Sequence, residues 1–260
     1  MRSAGLGVQV ASLARRSIVR TLRQPASAIP PIVFPLALMA LNSGGLHAAT
    51  DIPGFPTDNF YAFALAVPFV QGALFSTVNA GTDLARDIQT GFFNRLSLTP
   101  MRGAALLAGN LAGNVVLGVA QAAIYITVGL LIGVDFESGP GGIAVLLVLA
   151  ALISLGFGAL GAMLALRTGS GEAVQGLFPV LFVFLFISSM NMPRNLIEID
   201  WFRIAASFNP VSYLLEGVRS LVIEGWDAET LALGFGMAVG VTIAATIAAS
   251  LALRSRLERT

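Results

Sequence analysis

Apolar residues dominate six stretches of the chain, roughly 29–49, 60–79, 104–133, 142–166, 173–192 and 230–253. A helix needs about 20 mainly apolar residues to cross the hydrocarbon core of a bilayer. The pattern therefore predicts an all-α integral membrane protein with six transmembrane helices. The first stretch is the least regular. Pro30, Pro31 and Pro35, followed by "NSGG", predict a kinked or partly unwound span. Residues 5–24 show a different pattern at about 100° per residue. Arg16, Arg20 and Arg23 share one face with Gln9 and Ser12, while Leu6, Val10, Leu13, Ala14 and Ile18 share the other. An Arg-rich amphipathic helix lies in the headgroup layer, so residues 1–28 are read as an N-terminal elbow helix and 29–260 as the six-span domain.

Two polar segments carry patterns of their own. In 80–103, Leu84, Ile88, Phe92 and Leu96 recur every four residues, with Asp83, Arg86, Asp87, Gln89 and Asn94 on other faces. Gly91 divides or bends this short helix. Its apolar face has two places to dock, the membrane surface or a partner protein, and spacing alone does not choose. In 193–229, Asn209 is an N-cap, Pro210 the first helical residue and Gly225 a stop. Val211, Leu214, Leu215, Val218, Leu221 and Val222 fill one face; Ser212, Glu216, Arg219 and Ser220 fill the opposite one. The expectation is an amphipathic helix that lies at the outer surface or dips in and returns.

Charge adds orientation. Only 11% of residues are charged, against roughly 25% in soluble domains, and the mean hydropathy is +0.82. With the N-terminus inside, 1–28, 80–103, 167–172 and 254–260 hold 12 of the 15 arginines, as the positive-inside rule asks. Both termini are then cytoplasmic. Arg194, Arg203 and Arg219 remain in the outer segment. The N-terminus does not read as a signal peptide.

Composition also restricts the chemistry. Every basic residue is arginine and there is no lysine, so the chain holds no P-loop and is not itself a Walker-type ATPase. There is no cysteine, hence no thiol nucleophile or metal–thiolate site. The spans lack ionisable residues deep in their cores, which argues against ion coupling. His47, the one histidine, sits at a span edge and reads as structural. No catalytic constellation or metal-ligand cluster is apparent, and the chain is not read as an enzyme. The spans do carry amides and aromatics. Asn79, Gln175, Phe178, Phe182 and Asn191 are candidates for lining a pathway, with Phe178, Phe182 and Phe186 one helical turn apart. Gly109/Gly113 and Gly236/Gly240 have GxxxG spacing, which permits close helix approach.

Two motifs bring a resemblance. "DLARDIQTGFFNRLSLTP" and "NPVSYLLEGVR", with the elbow and six-span plan, resemble the permease subunits of type-2 ABC exporters, notably the daunorubicin-resistance-type permeases of actinobacteria. The resemblance covers nearly the whole chain. "SSMNMPRNLIEID" is more polar than the family pattern, which bears on a drug-like or lipid-like substrate. The resemblance implies a permease dimer in a bacterial plasma membrane, docked on a pair of separate ATPase subunits that bind ATP and Mg. It implies a hydrophobic or amphiphilic substrate, membrane lipids as neighbours and no nucleic acid. Gly91, Phe92, Phe93, Arg95, Leu96, Thr99 and Pro100 would couple to the ATPase, with Phe92 and Phe93 filling a groove on it and Arg95 meeting an acidic residue. Arg16, Arg20 and Arg23 would mark the elbow, and Asn209, Pro210, Tyr213, Glu216 and Arg219 the outer motif. An ion-coupled secondary transporter and a non-transport assembly or sensor subunit are the alternatives.

Overall fold

The computed structural model describes residues 5–23, 29–97 and 103–258, and among these every regular element is helical. In chain order they are α1 (Leu6–Leu22), α2 (Pro30–Gly45), α3 (Phe60–Ala64), α4 (Ala66–Gln89), α5 (Phe92–Ser97), α6 (Gly103–Leu131), α7 (Gly139–Thr168), α8 (Gly171–Phe186), α9 (Asp200–Phe208), α10 (Pro210–Arg219) and α11 (Ala228–Leu257). Short 3₁₀ turns follow α2 and α8, and a π turn, Ser220–Glu224, extends α10.

Four segments are long and apolar enough to cross a membrane: Phe60–Gln89, Ala105–Leu131, Gly139–Thr168 and Ala228–Leu257. The other two predicted spans form shorter helices. α2 and α8 have 16 residues each, about 24 Å at 1.5 Å per residue, against a core of about 30 Å. α2 gives way to 3₁₀ structure from His47 after the Gly44–Gly45 pair. Its Pro35 does not break it. Proline has no N–H to pair with the carbonyl four residues earlier, and that carbonyl, Pro31 O, accepts a 2.5 Å bond from the Tyr125 hydroxyl of α6.

α4 and α7 form the centre, with α11, α6 and α8 around them. Their crossing is a backbone contact. A Cβ at Gly161 would sit 1.9 Å from Thr77 O, and one at Gly81 would sit 2.7 Å from Gly161 O. Without lipid–water contrast to drive helices together, such close van der Waals packing is a main source of association. Polar side chains pin the same layer: Asn114 Nδ2 of α6 donates to Ser154 O at 3.0 Å, and Thr242 Oγ1 of α11 donates to Leu152 O at 3.0 Å.

The two GxxxG pairs have different fates. Gly109 and Gly113 receive Leu13 and Ser17 of α1, so α1 lies directly on α6. Gly236 and Gly240 face open space. The helix read in 80–103 is continuous with the predicted span 60–79 up to Gln89, so α4 carries Asp83, Arg86 and Asp87 on its last turns. Gly91, at φ 69°, then ends it and α5 begins.

Candidate functional site

The first cluster joins α1, α4 and α5. Asp83 and Asp87 are four residues apart, as are Arg16 and Arg20, so two helices present matching pairs. Arg16 grips Asp87 with two bonds of 2.7 Å. Arg20 reaches Asp87 and Asp83, each at 3.3 Å. The Arg16 guanidinium also lies 4.0 Å above the Phe92 ring. One arginine thus touches both the end of the α4 span and the start of α5. The arginine face of α1 is turned onto these carboxylates, while Arg23 caps the helix and is exposed. Asp83 and Asp87 were not singled out by sequence reasoning. Their shared i,i+4 spacing with Arg16 and Arg20 was the available signal.

The predicted coupling residues separate. Arg95 is exposed and Phe92 half-buried. Phe93 is only 2% exposed and packs in a core cluster with Leu84, Ile88, Leu106, Leu107 and Leu111. It therefore does not face outward to a partner groove as expected: after Gly91, α5 packs against α4, and Phe93 is enclosed by its own chain. Leu96 lies within α5, whereas Thr99 and Pro100 lie outside the described residues. Surface ion pairs are typically worth up to about 1 kcal/mol. Asp87→Asn is expected to cost about that much and to lower the thermal midpoint in detergent by roughly 2–4 °C; an unchanged midpoint would show that the clamp does not hold α1 in place.

The predicted pathway residues also separate. Asn79 and Gln175 line one polar cavity of about 260 Å³ between α1, α4 and α8, with Arg20, Asp83, Arg86 and Glu172. Phe178 and Phe182 belong to an aromatic ladder. Phe178 meets Phe75 at 5.0 Å and Phe182 at 4.7 Å, and Phe182 meets Phe34 at 5.9 Å. This ladder ties α8 to α4 and α2. Asn191 is elsewhere, accepting a 3.3 Å bond from Asn42.

The second cluster is built on α10. Asn209 caps it as predicted, accepting from Val211 N at 3.0 Å, and its amide nitrogen donates to Phe184 O and Ile187 O at 2.5 Å each. Pro210 is the first helical residue. Tyr213 donates to Ser207 O at 2.8 Å, and the Arg194 guanidinium sits 4.4 Å from its ring. Arg194 also holds Glu216 in a two-bond pair of 2.7 and 2.5 Å. Arg219 donates to Phe63 O at 3.0 Å, Ser189 O at 2.5 Å and Met190 O at 2.6 Å, over the Phe63 ring.

α10 does not lie on a surface. Its apolar residues enter the core, and on the polar face Ser212 is 0% and Arg219 5% exposed. The helical wheel identified the two faces, but the polar one is buried because carbonyls from α3 and from the turn after α8 are waiting for it. Burial pushes the Arg219 pKa below its ordinary value, opposed by Glu216 and Glu224; a guanidinium stays charged at neutral pH regardless. Burial likewise pushes the Glu224 carboxyl up.

Long apolar helices with these two polar clamps define a multi-pass membrane protein. Residues 8–223 match the ABC-2 type transporter family, and the chain belongs to that family. It is 30% identical over 198 residues to the daunorubicin resistance ABC transporter permease protein DrrB1 of Streptomyces coeruleorubidus, covering 74% of this chain and 65% of that protein's length, slightly under two thirds. It is also similar to the provisionally named transport permeases ycf38 of Porphyra purpurea, at 26% identity over 81% of this chain and 72% of that one, and of Pyropia yezoensis, at 27% over 82% and 73%.

Proposed function

We propose that this chain is the permease subunit of an ATP-driven exporter that moves a hydrophobic or amphiphilic substrate, a drug-like natural product or a lipid. The observation that carries this reading is the clamp in which Arg16 of the elbow grips Asp87 and covers Phe92. A movement imposed on α5 from the cytoplasmic side passes through these contacts into α1 and into the end of α4. In this reading an ATPase pair is the partner that binds ATP and Mg; these 260 residues contain no lysine and hence no P-loop. The membrane is a bacterial plasma membrane, with both termini cytoplasmic and a second permease copy completing the dimer.

In this reading residues 1–28 are the elbow and 29–260 the six-span permease domain, with α2 and α8 as shortened first and fifth spans. Gly91, Phe92 and Arg95 present the coupling surface, and Leu96, Thr99 and Pro100 continue it in sequence. Asn79 and Gln175 line the polar entrance, with the Phe178–Phe182 ladder beyond it.

The decisive experiment reconstitutes the permease with its ATPase in liposomes and follows efflux. Efflux that needs ATP and the ATPase supports the reading. ATP-independent efflux that collapses with uncoupler would sink it in favour of ion coupling. Phe92→Ala is the sharper probe. Transport is expected to fall by about tenfold, equivalent to about 1.4 kcal/mol of coupling, with the permease still folded; normal transport and normal ATPase association would count against the role of Phe92. Phe93→Ala is a poor substitute, since emptying a buried phenylalanine site costs about 3–5 kcal/mol.

A further inference from the structure

Arg194, Arg203 and Arg219, the arginines of the 193–229 segment, all line one cavity of about 550 Å³. That volume falls in the range of small-molecule sites, roughly 300–1,000 Å³. Two of the three charges are neutralised. Arg194 is paired with Glu216 and Arg203 with Asp200. Arg219 is different: among the described residues no carboxylate lies within 4.0 Å of it. Its carbonyl partners take three N–H groups, and a guanidinium has five. The cavity wall thus carries a buried cation held by three carbonyls and the Phe63 ring, with no direct ion pair among the described residues and two donors unspent. Such a charge is costly unless something anionic meets it. Glu224, the remaining carboxylate of the lining, is exposed and has no ion-pair partner among the described residues.

α9 indicates the depth of this cavity. Arg203 and Ser207 line it from one side of the helix. On the other side Trp201, Ile204 and Phe208 form a stripe with 65%, 56% and 85% exposure, and Trp226 nearby is 58% exposed. Tryptophan and apolar side chains on a short amphipathic helix sit at the boundary between headgroups and acyl chains. The cavity therefore opens where lipid headgroups are.

We propose that this cavity binds the headgroup of a zwitterionic phospholipid, with its phosphate on the free N–H groups of Arg219 and its ammonium towards Glu224. A purely anionic headgroup fits less well, because Glu224, the lining carboxylate without an ion pair among the described residues, faces the same space. The site is independent of the transport reading.

Trp201 and Trp226 are the chain's two tryptophans, so their fluorescence reports on this region. The full-length permease in neutral detergent is titrated with short-chain phosphatidylethanolamine, with phosphatidylglycerol of the same chains, and with chain-free glycerophosphoethanolamine; native mass spectrometry gives stoichiometry. The expected result is saturable phosphatidylethanolamine binding, at least tenfold tighter than phosphatidylglycerol and than the chain-free headgroup. Arg219→Gln removes a structural clamp as well as the site, so the decision rests on Glu224→Gln, whose side chain is exposed. That variant is expected to reduce the preference for phosphatidylethanolamine over phosphatidylglycerol to under threefold. Equal affinity for the two lipids, a preference untouched by Glu224→Gln, or chain-free headgroup binding as tightly as the lipid would each overturn the proposal.

Discussion

Replacing Arg219 with Met is expected to destabilise the α9–α10 end of the bundle by about 3–5 kcal/mol, the usual cost of removing one partner from a buried charged network. Arg219 ties together three segments far apart in sequence. It reaches Phe63 beside the break between α3 and α4, and Ser189 and Met190 in the turn after α8. Methionine fills much of the volume but donates nothing, so three carbonyls lose their partner, each at about 1–3 kcal/mol if left unsatisfied. Removing the buried cation recovers some desolvation energy, which keeps the total below the sum. The thermal midpoint in detergent is expected to fall by on the order of 10 °C, with broadening of the size-exclusion peak. Arg219→Lys keeps the charge but loses the planar fork and is expected to fall between the two. A Met variant as stable as the parent would show that the carbonyls are satisfied some other way.

Gly161→Val is expected to be about as damaging, by a different route. The new Cβ would fall 1.9 Å from Thr77 O and 3.2 Å from Gly81 N. These are backbone atoms in the middle of α4, so no rotamer change relieves the clash, and α4 and α7 must move apart. Overpacking typically costs about 1–3 kcal/mol and occasionally more; a clash against backbone at a central crossing belongs at the upper end. Gly236→Ala is the matched control. That position faces open space, and helix propensity alone predicts a gain of up to about 1 kcal/mol. Midpoints measured side by side test the pair. Equal effects at 161 and 236 would mean that the α4–α7 contact does not set stability.

Much of the architecture was legible in sequence because it is local. Four of the six apolar stretches appear as helices long enough to cross a membrane. Asn209, Pro210 and Gly225 delimit α10 and its π turn, since capping needs only neighbouring residues. Gly91 divides α4 from α5, because its left-handed conformation suits a residue without Cβ. The GxxxG pairs announced close packing but not what would pack: Gly109/Gly113 found α1, while Gly236/Gly240 found nothing within this chain.

Where charges and aromatics ended up was decided by tertiary contact. Phe92 and Phe93 are adjacent, yet one lies half-buried under Arg16 and the other deep in the core. A helical wheel gives the direction of a side chain relative to its own axis, and the neighbour on that side is set by another helix. The same holds for Asp83 and Asp87, ordinary charges on a wheel until α1 brings two arginines to them. It holds most strongly for α10, whose polar face went inward. Hydrophobic patterning predicts burial for apolar groups, because leaving water favours them wherever they go. A polar group is buried only if its hydrogen-bond partners are there to meet it. For Arg219 those partners are carbonyls at residues 63, 189 and 190, which only the folded bundle brings within reach.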